Sequence, residues 1–262
     1  MDKLPELTIS GIGKSNGGKF AYVDISGMGT ILGAVDAGRI SISGKGTIEG
    51  DVLVSGNMNL AGMATIRGSL RGRQILSSGN GSITGMVEAE RVESSGNMKI
   101  EGPAKIKELS NAGRCRVELN LMAQKVESYG FLSVGGDVEA EEFYSQGSFT
   151  IGGLLNANKI DIRIHGFCQA REIGGEEIQI RHGHSFGFVS KLISSFLGTG
   201  RELDKLKADL IEGTVVSLEY TKADVVRGQK VIVGPACLIR EVEYTDSIEI
   251  DPSAVVQKQT KA

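Results

Sequence analysis

The sequence contains no tryptophan, and aromatic residues make up 5% of its 262 positions. A large globular core draws much of its buried area from aromatic rings, so the interior expected here is thin. Cysteine is scarce. Cys115, Cys168 and Cys237 stand far apart and form neither a CxxC metal pair nor an even disulfide framework. No run of 18 apolar residues occurs, which excludes a membrane-spanning helix. Met1 to Ser10 lack the charged region and apolar stretch of a secretory signal. A dominant sign of charge is missing too. Lys and Arg number 29 against 32 Asp and Glu, a net charge of −3. Phosphate binding needs concentrated positive charge, so no nucleic-acid partner is expected. These features together suggest a soluble cytoplasmic protein.

Glycine, by contrast, is abundant, at 37 residues, about twice its usual share. It is also periodic. Segments beginning at Ile75, Val92, Leu109, Val126 and Phe143 repeat every 17 residues. Each carries glycine four places in (Gly79, Gly96, Gly113, Gly130, Gly147) and a β-branched residue eight places in (Ile83, Ile100, Val117, Val134, Ile151). Val87, Ala104, Leu121, Val138 and Leu155 form a further apolar column, and Ala89, Ile106, Ala123, Ala140 and Ala157 one of mostly small residues. Upstream, Val23, Ile40 and Met58 extend the first column, with one step of 18 residues. Downstream, Ile164–Ala170 is aligned with Ile151–Ala157 after a four-residue deletion. Val231 is aligned with Ile248 and Thr214, and Val225 with Val242, each 17 apart.

Short bursts such as Ile40-Ser-Ile42-Ser and Met98-Lys-Ile100-Glu alternate apolar with polar, as strands with one buried face do. A 17-residue unit holds about three short strands and cannot bury its apolar side alone. Stacking such units pairs equivalent strands roughly 4.8 Å apart and makes a continuous core. Glycine at the bends is expected to supply positive φ and close approach between coils. The residues Arg91, Glu108, Lys125, Glu142 and Lys159 alternate in sign at one outward position, as a stacked ladder of opposite charges would. The apolar spacing does not follow the six-residue period of left-handed hexapeptide helices, and no GGxGxD calcium repeat occurs. The expected fold is an all-β, right-handed parallel β-helix.

The expected organisation is an N-terminal segment (1–19), a main β-helix (20–180), an insertion (181–209), C-terminal rungs (210–256) and a tail (257–262). Within the insertion Phe186, Phe188, Val189, Leu192, Ile193, Phe196 and Leu197 recur at helical spacing. Their apolar face would pack on the solenoid or contact a partner protein.

Chemistry is sparse. His165, His182 and His184 show no third metal ligand, the cysteines read as small core residues, and no Ser/His/Asp set can be assembled. Glu88, Glu101, Glu118 and Glu139 occupy outward columns. Ser15-Asn-Gly17-Gly18-Lys19 lacks the spacing of a phosphate loop. Rungs 75–159 carry no inserted loops to wall a cleft. No catalytic residue, cofactor or metal is expected.

Rungs such as Val23-Asp-Ile-Ser-Gly27-Met-Gly-Thr-Ile31-Leu-Gly33-Ala-Val35 resemble the bactofilins, polymer-forming bacterial cytoskeletal proteins. The closing stretches Ala208–Gly213, Leu218–Gly228 and Val233–Tyr244 look like a longer Bacillus-type branch of that family. The resemblance covers about residues 7–256. It implies a right-handed β-helix that polymerises end to end without nucleotide and serves cell shape, motility or localisation of envelope enzymes. The sequence departs from the compact bactofilin pattern in its insertion and in lacking a short apolar N-terminal membrane peptide. The expected partner is a second copy of the chain, with a paralogous bactofilin or an envelope-associated protein as the alternative. Contact with a membrane surface is left open.

An uncapped solenoid end exposes unpaired strand edges. The expected polymer interface is Phe20, Tyr22, Val23 and Ile25 at one end, and Ile248, Ile250, Val255 and Val256 at the other. Residues 1–19 and the C-terminal tail could instead fold over these ends. The alternatives to a scaffold are a non-polymeric adaptor working through 186–197 and a carbohydrate-active β-helix enzyme.

Overall fold

The computed structural model describes residues 4–183 and 205–262, and among them every regular element is a β-strand. The pairings are parallel, and the chain winds as a β-solenoid through about 14 turns at 17-residue spacing. The predicted helix over 186–197 lies outside the described residues, as does His184. Two compact units divide the chain: residues 1–124 with 131–135, and residues 125–130 with 136–262.

In the first unit a coil consists of a four-residue strand, a turn and an eight-residue strand, as in Asn80–Ile83 followed by Val87–Ser94. Gly81, Ile83, Val87, Ala89, Val92 and Ser94 face inward. Two consecutive exposed residues, Glu90 and Arg91, mark a bend where the alternation changes phase. Each residue pairs with the one 17 places on: Val87 with Ala104, Val92 with Leu109, Ile100 with Val117. The 18-residue step arises from one extra residue between Val54 and Asn57, a bulge.

The glycine column is explained by close approach, not by φ. Its members have no positive φ. Among the described glycines only Gly18, Gly33 and Gly166 do. A Cβ on Gly96 would instead run into the carbonyl oxygen of Gly79, and one on Gly79 into that of Gly62. The same turns carry a repeated hydrogen-bond pattern. Ser43 and Gly44 both donate to the Ile25 carbonyl (3.0 and 3.1 Å), Ser78 and Gly79 to that of Leu60 (3.0 and 2.9 Å). A side chain here would force the coils apart and break a pattern shared by every neighbouring turn.

In the second unit long strands run over Ser148–Ile164, Cys168–His182, Leu206–Leu218, Thr221–Val233 and Leu238–Ile250, followed by the seven-residue strand Val255–Lys261. Several alignments made from spacing alone need correction. Cys168 pairs with Phe149, and Ala170 with Ile151, so the four-residue deletion does not exist. Val231 pairs with Val216, not with Thr214, because this coil has shortened to 15 residues. Val242 pairs with Val226, and Val225 with Glu241. The shorter coil closes through tight turns at which Tyr220 (φ 49°) and Ala236 (φ 58°) adopt left-handed backbone. Strands occupy the chain up to His182 and again from Leu206, well inside the 181–209 interval.

One inward column changes character along the chain. Ile9, Ile25, Ile42 and Leu60 are followed by Ser77, Ser94 and Asn111 in the first unit. The second unit continues the repeat position with Ser128 and Ser145, then Ile162 and Ile180. All five polar members are buried. Asn111 Nδ2 donates to the Phe131 carbonyl at 3.1 Å. Phe143 and Phe149, which flank Ser145 in sequence, meet edge to face at 5.7 Å.

Candidate assembly ends

The chemistry-bearing side chains do not converge. Cys115 and Cys237 are buried in the core, and burial pushes their thiols up to about 12 and about 11. Cys168 is buried too. Among the described residues no group of three His, Cys, Asp or Glu could hold a metal. His182 stacks on Tyr220 with ring centroids 4.3 Å apart, and its backbone N–H donates to Glu219 at 3.0 Å.

A groove of about 720 Å³ runs along the second unit, floored by Gly174, Gly213 and Gly228 and flanked by Glu212, Arg227 and Glu243. Arg227 lies 2.7 Å from Glu243 and 3.7 Å from Glu212. These charges are rungs of an outward ladder, spent on one another. The same holds where the sequence alternates in sign: Arg91 pairs with Glu108 at 3.3 Å, and Lys159 faces both Glu142 and Glu177. Exposed pairs of this kind contribute ~0–1 kcal/mol each, so they fix register more than they stabilise.

What remains are the solenoid ends. In the first unit Val23 and Ile25 are 0% exposed, because a strand at Glu6–Ile9 covers them, Leu7 on Val23 and Ile9 on Ile25. Phe20 and Tyr22 are half-buried. The open edge therefore lies one coil further out than Val23 and Ile25, along Glu6–Ile9 and Ile12–Phe20. Among the described residues no strand pairs with the outer side of either. A sequence signal for this outer coil exists. Leu7-Thr-Ile9-Ser-Gly11-Ile-Gly13 repeats Val23-Asp-Ile25-Ser-Gly27-Met-Gly29 at a 16-residue step, which a search for 17 passes over.

In the second unit Ser247–Ile250 pairs on one side with Lys230–Val233, and Val255–Lys261 with Leu238–Tyr244. Their other sides are unpaired among the described residues. Val231, Val233 and Ile239 are buried, whereas their column neighbours Ile248, Ile250 and Val256 are only half-buried. Val255 points outward and is 52% exposed. The candidates Phe186, Phe188, Val189, Leu192, Ile193, Phe196 and Leu197 lie outside the described residues.

No protein-family model and no solved structure match the chain. Among the described residues no helix is long and apolar enough to cross a membrane. Two proteins of Bacillus subtilis (strain 168) are similar. "Uncharacterized protein YhbF" is 38% identical over 109 residues, 41% of each chain. "Uncharacterized protein YhbE" is 48% identical over 262 residues, which span all of both. With that identity over its full length, the chain belongs to the family of YhbE.

Proposed function

We propose that this protein is a bactofilin-like cytoskeletal scaffold of the cytoplasm, which polymerises end to end without nucleotide and has no catalytic role. The observation that carries the proposal is the pair of open strand edges, each with apolar columns left partly uncovered. At the C-terminal end Ile248, Ile250 and Val256 are the last members of columns whose previous members are fully buried. Covering such a side chain contributes roughly 1 kcal/mol or more, and pairing the edge adds backbone hydrogen bonds that the isolated end makes only with water. A second copy of the chain offers a surface built to the same repeat.

The test is concentration-dependent light scattering of the purified full chain, without nucleotide, beside the double variant Ile248→Lys/Val256→Lys. The wild type is expected to grow into large species, and the variant to stay small with an unchanged circular dichroism spectrum. A wild type that keeps the mass of a single chain at every concentration would refute the proposal. Lysine at Val23 or Ile25 is not a test of assembly, because it would bury a charge in the core.

A further inference from the structure

One glycine of the second unit has no structural reason to be glycine. Gly175, Gly213 and Gly228 follow one another in register, and packing explains them. A Cβ on Gly213 would meet the Gly175 carbonyl oxygen at 2.7 Å, and one on Gly228 that of Gly213 at 2.9 Å. Gly174 is different. Its φ is not positive, and a Cβ built on it meets only two side-chain tips, Asn156 Oδ1 at 3.3 Å and Leu154 Cδ1 at 3.8 Å. Its neighbours in the same outward column, Asn156, Glu212, Arg227 and Glu243, are all polar side chains. The missing side chain leaves a gap in that wall, and the gap opens into the groove of about 720 Å³.

The groove crosses the strands instead of following them. Its floor passes from Gly175 through Gly213 and Gly228 to Tyr244, so it advances ~4.8 Å with each coil. One wall is the column from Asn156 to Glu243. Asn158, Glu176, Thr214, Gln229 and Thr245 line the other side. The strands beneath are paired on both sides, so their N–H and C=O groups are engaged within the solenoid. An extended peptide cannot add here as a further strand. Recognition is left to the side chains.

We infer that this groove is a binding site for a linear, uncharged glycan. Asn156, Asn158, Gln229, Thr214 and Thr245 bring amides and hydroxyls, which both donate and accept, as sugar hydroxyls do. The bare backbone at Gly174 and Gly175 gives a pyranose ring a floor with no side chain in its way. Half-buried Tyr244 adds aromatic surface with a hydroxyl at its tip. Glu172, Glu176, Glu212 and Glu243 outnumber Arg227 along the groove, which turns away phosphorylated or acidic chains. A basic peptide is the competing occupant. Three of those four carboxylates already have an arginine, Glu172 with Arg171 at 3.4 Å, and Glu212 and Glu243 with Arg227, so little charge remains to recruit one. The site uses none of the side chains assigned to the open edges, and it stands or falls independently of the scaffold proposal.

The test is isothermal titration calorimetry of the full chain with cellotetraose and chitotetraose, two extended neutral probes, and with tetralysine as the basic peptide. The wild type is expected to bind at least one of the sugars with a Kd of about 1 mM or tighter, and more tightly than tetralysine. Gly174→Leu fills the gap and is expected to weaken sugar binding by about tenfold or more, with an unchanged circular dichroism spectrum. The double variant Asn158→Ala/Gln229→Ala removes two exposed amides without touching the core. It is expected to weaken sugar binding in the same way, and it decides the matter if Gly174→Leu fails to fold. A wild type that binds neither sugar would overturn the inference. So would sugar binding that survives in every folded variant. Tighter binding of tetralysine than of either sugar would overturn it in favour of a basic peptide.

Discussion

A Cβ built on Gly96 runs into the backbone of the coil before it, whereas one on Gly81 meets only Leu60 Cδ1 at 3.4 Å and Ser77 Oγ at 3.6 Å. The two glycines are two residues and one coil apart in role, and the same substitution separates them. Gly96→Ala is expected to lower stability by about 1–3 kcal/mol, because the neighbour is backbone and cannot move aside alone. Gly81→Ala is expected to be neutral or stabilising by up to ~1 kcal/mol, since Ala64 already occupies this column. Thermal melts of the two variants check both. A third substitution addresses the polar column. Ser94 Oγ has no hydrogen-bond partner among the described residues, so Ser94→Ala should cost nothing and stabilise by up to about 1 kcal/mol. A drop in melting temperature would show that the hydroxyl has a role in register. The glycine column was legible from the sequence, but its reason was not. Spacing gives a position, whereas the distance between coils decides that the missing Cβ matters more than φ. The serine column at Ser77, Ser94, Ser128 and Ser145 was equally regular. It passes as surface because polar residues are normally outside.

The strands of the middle coils follow directly from sequence, because insertions are absent and each apolar column advances by 17. Legibility fails where the coil length changes. Thr214 and Val216 are both β-branched or small enough to stand inward, so nothing in the residues themselves reveals a 15-residue step. The turns at Tyr220 and Ala236 absorb the difference. The outermost strand was missed for the same reason, a 16-residue step. The terminal strand Val255–Lys261 carries its own prediction. Lys258 Nζ lies 2.6 Å from Glu241, and this hydrogen bond holds the Glu241 carboxyl below its usual range. Ser253 does the same for Asp251 in the adjoining turn. A lowered folded value means that the stabilisation is complete at neutral pH and is lost in acid, as pH falls through the usual carboxylate range to the folded value beneath it. Hydrogen exchange of residues 255–261 should therefore accelerate relative to the rest of the second unit between pH 6 and pH 3.5. An unchanged ratio would show that the pair contributes nothing to this strand.

At the scale of the molecule, the sequence tells fold and function apart unevenly. A repeat that buries its apolar columns only by stacking dictates a solenoid whatever the solenoid is for, and the columns at Val23, Ile40 and Ile75 are buried as that argument requires. The proposed assembly uses what the repeat leaves unfinished, and that depends on which residue comes last in each column. Leu7 and Ile9 at one edge, and Ile248, Ile250 and Val256 at the other, could be located only once the pairings were known. Scaffold assembly through these edges is the central claim. Its most direct measurement is electron microscopy of the purified full chain, without nucleotide, with the power spectrum of whatever forms. The account predicts filaments that show a spacing near ~4.8 Å along the filament axis, the strand separation carried unbroken from copy to copy. Dispersed particles at every concentration, or filaments whose ~4.8 Å spacing lies across the axis, would contradict it.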